Sequence, residues 1–227
     1  MILALAAAIA AAQPAPCPDV VTAEAFICRA IRATADSKPD AAAEAFEQAA
    51  LTVDSASAER SRLLAAAGNM WIAAGQAGKA ALALDKALAG TGLQAEQRGQ
   101  ALLDRARAAE AQNDLKTARA KVTEAAATIS ADPFLWYFSA ALAIREGDPA
   151  VAKTSIGKAL TLAPNDPVLL FEAGHVAQFS GDIVGARDYW TRASAADPKG
   201  EAGKAAREAL KLLPARLDVQ SEPAPAK

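Results

Sequence analysis

Between residues 168 and 180 the apolar side chains fall at Leu169, Leu170, Ala173, Val176, Ala177 and Phe179. That three-and-four spacing puts one buried stripe on a helix. Gly181-Asp182 interrupts the stripe, and Asp182 is placed to cap whatever follows. Residues 183–195 resume the pattern with Ala186, Tyr189, Trp190 and Ala193. Asp197-Pro198 then stops it, because proline pushes the residue before it out of the helical region. The pattern predicts two antiparallel helices joined by a tight turn.

The same unit recurs along the chain. Asp132-Pro133 returns 34 residues later as Asp166-Pro167, Gly147-Asp148 as Gly181-Asp182, Ala152 as Ala186, Ala159 as Ala193 and Pro164 as Pro198. A fixed period of this size predicts a stack of like units, each packed only on its neighbours. Weaker copies stand upstream in register, with turns expected at Ser37-Lys38-Pro39, Gly75 and Asn113-Asp114. Two four-residue insertions, 57–60 and 95–98, break the strict period and are expected to lengthen helices or loops. Residues 201–213 read as a final amphipathic helix with Ala205, Ala209, Leu212 and Leu213 at core spacing. Its polar face, Lys204, Arg207, Glu208 and Lys211, suits the capping end of an array. Residues 214–227, ending in Pro223-Ala224-Pro225-Ala226, read as a disordered tail.

Counted from Pro167, the fourth, eighth, twentieth, twenty-fourth, twenty-seventh and thirty-second places hold Leu170, Gly174, Ala186, Trp190, Ala193 and Pro198. Counted from Pro133 they hold Trp136, Ala140, Ala152, Ile156, Ala159 and Pro164. This succession of bulky, small, small, bulky, alanine and proline resembles the tetratricopeptide repeat family. Copies counted from Gly99, Ser61 and Ala23 give Leu102, Ala106, Ala118, Val122 and Ala125, then Leu64, Gly68, Ala80, Leu84 and Ala87, then Phe26, Ala30, Ala42, Phe46 and Ala49. The small residues suit points where helix axes cross, and the large ones fill the space beside the crossing. The resemblance implies an all-α solenoid of five helix-turn-helix repeats (23–56, 61–94, 99–132, 133–166 and 167–200) and a capping helix at 201–213.

Such a solenoid is expected to be a non-catalytic scaffold that binds a peptide or protein segment in its concave groove. By resemblance, the groove is lined from the first helix of each repeat. In the two strongest copies that gives Phe134, Tyr137, Ala141, Ile144 and Arg145, then Val168, Phe171, His175, Gln178 and Phe179. Aromatics on an accessible groove anchor a partner well, burying large area at small entropy cost. The competing reading is that some of them pack between repeats. Earlier copies place Gln100, Leu103, Arg107, Glu110 and Ala111, and Arg62, Ala65, Asn69 and Ile72. Some relatives clamp a terminal carboxylate with lysine and asparagine. Asn69 and Arg107 are the members of such a set here, and the rest is missing. Self-association through Tyr137, Phe171 and Phe179 is the other use for this surface.

Charge narrows the partner. With 24 basic and 26 acidic residues intermixed, the net charge of -2 leaves no footprint for nucleic acid or an anionic membrane. Residues 2–12 are apolar but too few to span a bilayer, which takes about 20. They fit a secretory signal with cleavage after Ala12, although no Lys or Arg precedes the run. The alternative is a retained N-terminal helix and a cytoplasmic adaptor. Export to the periplasm agrees with the two cysteines, since Cys17 in the Pro-rich entry segment 13–22 and Cys28 on the first helix suit a disulfide. Two unrelated buried thiols would be the other outcome. No cofactor or metal is expected, because two cysteines and a single histidine fall short of a zinc ligand set. His175 as an acid-base residue is the remaining enzymatic alternative. Glu172 and Asp188 read as residues of solvated helix faces.

Overall fold

The computed structural model describes residues 16–214. The expected signal at 1–12, Gln13, Pro14, Ala15 and residues 215–227 of the tail lie outside that range.

Among the described residues there are eleven helices and no strand: α1 Ala23–Ala35, α2 Pro39–Thr52, α3 Ala58–Ala73, α4 Ala77–Ala89, α5 Ala95–Ala111, α6 Leu115–Ile129, α7 Pro133–Glu146, α8 Pro149–Leu162, α9 Pro167–Phe179, α10 Ile183–Ala196 and α11 Glu201–Leu212. Each packs on the next, and first helices of neighbouring hairpins also touch, α3 on α5 and α7 on α9. The result is an α-solenoid of five hairpins closed by α11.

Local chemistry sets the helix boundaries. Asp132, Asp148 and Asp166 are N-caps whose carboxylates accept backbone N–H bonds, and each is followed by a proline at the first helical position. Proline there loses nothing, since its missing N–H would have no helical partner. Asp182 caps α10 by accepting from the Gly185 amide at 2.8 Å, as the sequence predicts. Asp114 caps α6, and the hydrogen bonds Thr117 gives it hold its carboxyl below the usual range. Within each hairpin the turn is made by one left-handed residue: Ser37, Gly75, Asn113, Gly147 and Gly181, with φ between 57° and 78°.

The two insertions extend first helices. α3 and α5 run for 16 and 17 residues, against 13 for α1 and α9. The extra residues are absorbed as an added N-terminal turn, begun by the Ser57 cap in α3 and by a Gln94–Gln97 capping box in α5.

Alanine makes the closest contacts. Ala30, Ala42, Ala49, Ala80, Ala87, Ala106, Ala118, Ala125, Ala140, Ala152, Ala159, Ala186 and Ala193 are all 0% exposed. A side chain longer than a methyl group has no space at these crossings. Larger residues fill beside them: Trp71, Leu84, Leu103, Leu135, Leu142, Leu170 and Trp190 are fully buried. Leu103 therefore belongs to the core rather than to the groove where the family register would put it.

At the C-terminal end, α11 covers α9 and α10 through Ala206 and Leu213. Leu212 is 83% exposed, correcting its placement in the core: the helix ends there, and the chain turns so that Leu213 enters instead. At the other end, Cys17 and Cys28 form a disulfide, and Arg29 donates to the carbonyls of Pro18 and Val20 at 2.8 and 3.0 Å. Both ties fix the entry segment to α1.

Candidate partner-binding groove

First helices lie along one flank, α3 against α5 and α7 against α9, because their apolar stripes face their own second helices and leave one side uncovered. Between α7 and α9 this flank opens into a hollow of about 510 Å³ lined by Ala141, Ile144, Arg145, Glu172, His175, Gln178 and Phe179. Six of these seven hold the positions named from the repeat register. The seventh, Glu172, was not among them.

Phe179 and Phe134 are 40% and 42% exposed, so both offer ring surface to a partner. Phe171 and Tyr137 are only half-buried and serve two surfaces. Phe171 leans on the cluster around Trp190, and Tyr137 on the clusters that join α5, α7 and α9. The two competing readings of the aromatics are thus divided by residue. Burial, and secondarily the charge of Glu172, pushes the Tyr137 hydroxyl above its ordinary pKa.

His175 is held rather than free. Its ring lies 4.4 Å from Phe171 and 5.6 Å from Trp190, centroid to centroid, edge-on to both. Its Nδ1 is 3.5 Å from a Glu172 carboxylate oxygen, one helical turn away. Glu172 is 8% exposed, which corrects its reading as a solvated-face residue. Asp188 does keep that character, exposed beside Arg192 on α10. Helical spacing places Glu172 between Leu169 and Val176, and sequence alone does not show that α7 closes over that edge of α9.

Two basic residues of the flank, Arg107 and Arg145, are already engaged. Arg107 donates to Asp104 at 2.9 Å, and Asn69 donates to the other oxygen of the same carboxylate at 2.8 Å. Asp104 thus occupies the two groups that a carboxylate clamp would use. Arg145 bonds to the carboxylate of Glu110, and to the Glu110 carbonyl and Asn113 side chain at 3.1 and 3.0 Å. The Arg107 guanidinium also sits 5.7 Å from the Phe134 ring, which stacks on Tyr137 at 5.5 Å. A line of contacts consequently crosses α3, α5 and α7 through Asn69, Asp104, Arg107, Phe134 and Tyr137.

A second hollow, about 550 Å³, lies at the N-terminal end between α1, α2 and α3. Ile31, Thr34, Ala35, Phe46, Ala66, Asn69 and Met70 line it, and the sequence reading missed all but Asn69. Its signal is Ile31, a large apolar residue on the exposed side of α1. Among the described residues no cluster of His, Cys, Asp and Glu could hold a metal ion, and no helix is long and apolar enough to cross a membrane.

No family model and no curated protein matches the sequence. Solved structures do match the fold. PilW, described as a widely conserved type IV pilus biogenesis factor, superposes with a TM-score of 0.68 at 21% identity, covering 80% of this chain and 81% of its own. Pseudomonas aeruginosa pilF gives 0.66 at 16% identity, over 84% of this chain and 83% of its own. YrrB, described as a TPR protein with an unusual peptide-binding site, gives 0.62 at 18% identity, over 84% of this chain and 92% of its own. At such identities the likeness speaks for architecture, and the architecture of this chain is that of the tetratricopeptide-repeat proteins.

Proposed function

We propose that this protein is a non-catalytic adaptor that binds a peptide or protein segment along the flank of its first helices, each repeat being one of the units 23–56, 61–94, 99–132, 133–166 and 167–200. The observation that carries this reading is the α7–α9 hollow, where exposed Phe179 and half-buried Ile144 face an open channel. Rigid aromatic side chains beside such a channel bury area at little entropic cost, the property of interface anchors. Neighbouring folds include a protein described by its peptide-binding site, which agrees with this use. His175 is packed between two rings and beside one carboxylate, an arrangement that suits a wall residue better than a proton shuttle.

Export supplies the setting in this reading. A disulfide persists in an oxidising compartment, and residues 1–12 carry the pattern of a cleaved signal. The partner would then be a segment of another exported protein.

The test is a paired capture. Immobilised wild type and a Phe171→Ala/Phe179→Ala variant are exposed to the same envelope extract after equal helicity is established by circular dichroism. Proteins retained by wild type and lost by the variant support the groove; identical retention by both removes it. N-terminal sequencing of the purified protein tests export, since a chain that begins at Met1 contradicts cleavage.

A further inference from the structure

Between α5 and α9 the charges of the flank are balanced at every point but one. Arg107 faces Asp104, and Arg145 faces Glu110. Glu172 has no such counterpart. Among the described residues its carboxylate accepts no hydrogen bond, and the one basic group within 4 Å is the His175 imidazole at 3.5 Å, too far for a strong bond. Yet Glu172 is more than nine-tenths buried and lines the α7–α9 hollow. A carboxylate set in the apolar wall of a hollow attracts a cation more strongly than one in open water. The negative charge also raises the pKa of the Tyr137 hydroxyl on the facing helix, after burial.

We propose that Glu172 is the recognition carboxylate of the groove, receiving a lysine or arginine side chain from the bound segment. The inference rests on the groove reading above and adds the chemistry of the partner. The aliphatic stem of such a side chain fits the apolar lining of Ala141, Ile144 and Phe179, while its charged head reaches Glu172. Arg145, in the same hollow, leaves room for a second cation because its guanidinium is turned to Glu110 and Asn113. An acidic segment finds the opposite: no unengaged basic group faces it at this point of the flank.

An array of nonapeptides with randomised flanks tests this, its central position fixed as lysine, arginine, leucine or glutamate. Wild type is expected to retain lysine- and arginine-centred members at least about tenfold better than glutamate-centred ones. Glu172→Gln, isosteric and uncharged, should erase that preference and keep retention of leucine-centred members. Added salt should weaken only the basic members on wild type. A basic preference that survives Glu172→Gln or is insensitive to salt, or a wild type with no preference, overturns the inference. Failure of the groove reading looks different: Phe179→Ala leaves all retention unchanged, or wild type retains no peptide of any kind.

Discussion

The Cβ that Gly174 lacks would lie 2.2 Å from the indole nitrogen of Trp190. α9 and α10 therefore meet backbone to ring, and the same indole donates to the Phe171 carbonyl at 3.0 Å. Gly174→Ala must displace the ring from a fully buried site, where overpacking costs about 1–3 kcal/mol. Urea unfolding should show a lower midpoint, and the double variant with Trp190→Leu should lose less than the sum of the two single losses, because the two changes share one contact. Additive losses in the double variant would show that the ring is not the obstacle. At the equivalent crossing, Gly68→Ala meets the Cγ of fully buried Leu84 at 2.4 Å, so it should cost a similar amount.

The two buried tryptophans differ in one bond. Trp190 Nε1 is paired, while Trp71 Nε1 is buried with no partner among the described residues. Replacing each by phenylalanine removes similar volume, but only Trp190→Phe gives up a hydrogen bond, and Trp71→Phe removes an unsatisfied donor. Trp190→Phe should be the more destabilising by about 1–2 kcal/mol. Equal losses of stability in chemical denaturation would mean that the Phe171 bond contributes nothing.

Much of the architecture can be read from the chain because it rests on local rules. Gly147-Asp148 and Gly181-Asp182 place a left-handed residue and an N-cap side by side, and both act within four residues of themselves. Ala140 and Ala186 are readable because a repeat obliges the same crossing to recur. What a repeat does not determine is how far one hairpin leans over the next. Glu172 and Ile31 depart from the sequence pattern for that reason: one is buried beside the neighbouring α7, and the other is left bare where α1 has no preceding hairpin among the described residues. Leu212 failed for a different cause, a helix end one residue short of where the periodicity carried it.

Ser37 holds the left-handed turn position at φ 57°, where three of the other four hairpins have glycine. A side chain there costs about 1–2 kcal/mol in steric strain, which glycine avoids at a smaller entropic cost. Ser37→Gly should therefore raise stability by up to about 1 kcal/mol, and Gly147→Ala should lower it by a similar amount. Thermal melts of the two variants are expected to shift in opposite directions, and a shift of the same sign would contradict the assignment.

Reduction of Cys17–Cys28 is expected to act locally. The bridge spans 11 residues and confines the entry segment to α1, a loop size for which chain entropy gives about 3 kcal/mol. In a stack whose units touch only neighbours, that loss should stay in the first hairpin. A Cys17→Ser/Cys28→Ser variant should show faster amide exchange in α1 and α2 with α9 and α10 unchanged. Uniform acceleration along the chain would instead point to global coupling of the repeats.

Tyr137 links the core to the groove, and its titration reports both. Burial first, and then the negative charge of Glu172, raise its pKa above the ordinary value of about 10. The fold thus binds the phenolic proton more tightly than the unfolded chain does. The stabilisation is complete below the unfolded value and is lost as pH climbs through the folded one. With Tyr189→Phe, Tyr137 is the sole tyrosine, and phenolate absorbance reads it alone. The folded midpoint should lie above that of the same variant in urea, and Glu172→Gln should recover only a minor share of the difference, desolvation being the larger cause. Coincident folded and unfolded midpoints would mean that the hydroxyl is solvated rather than held against the core.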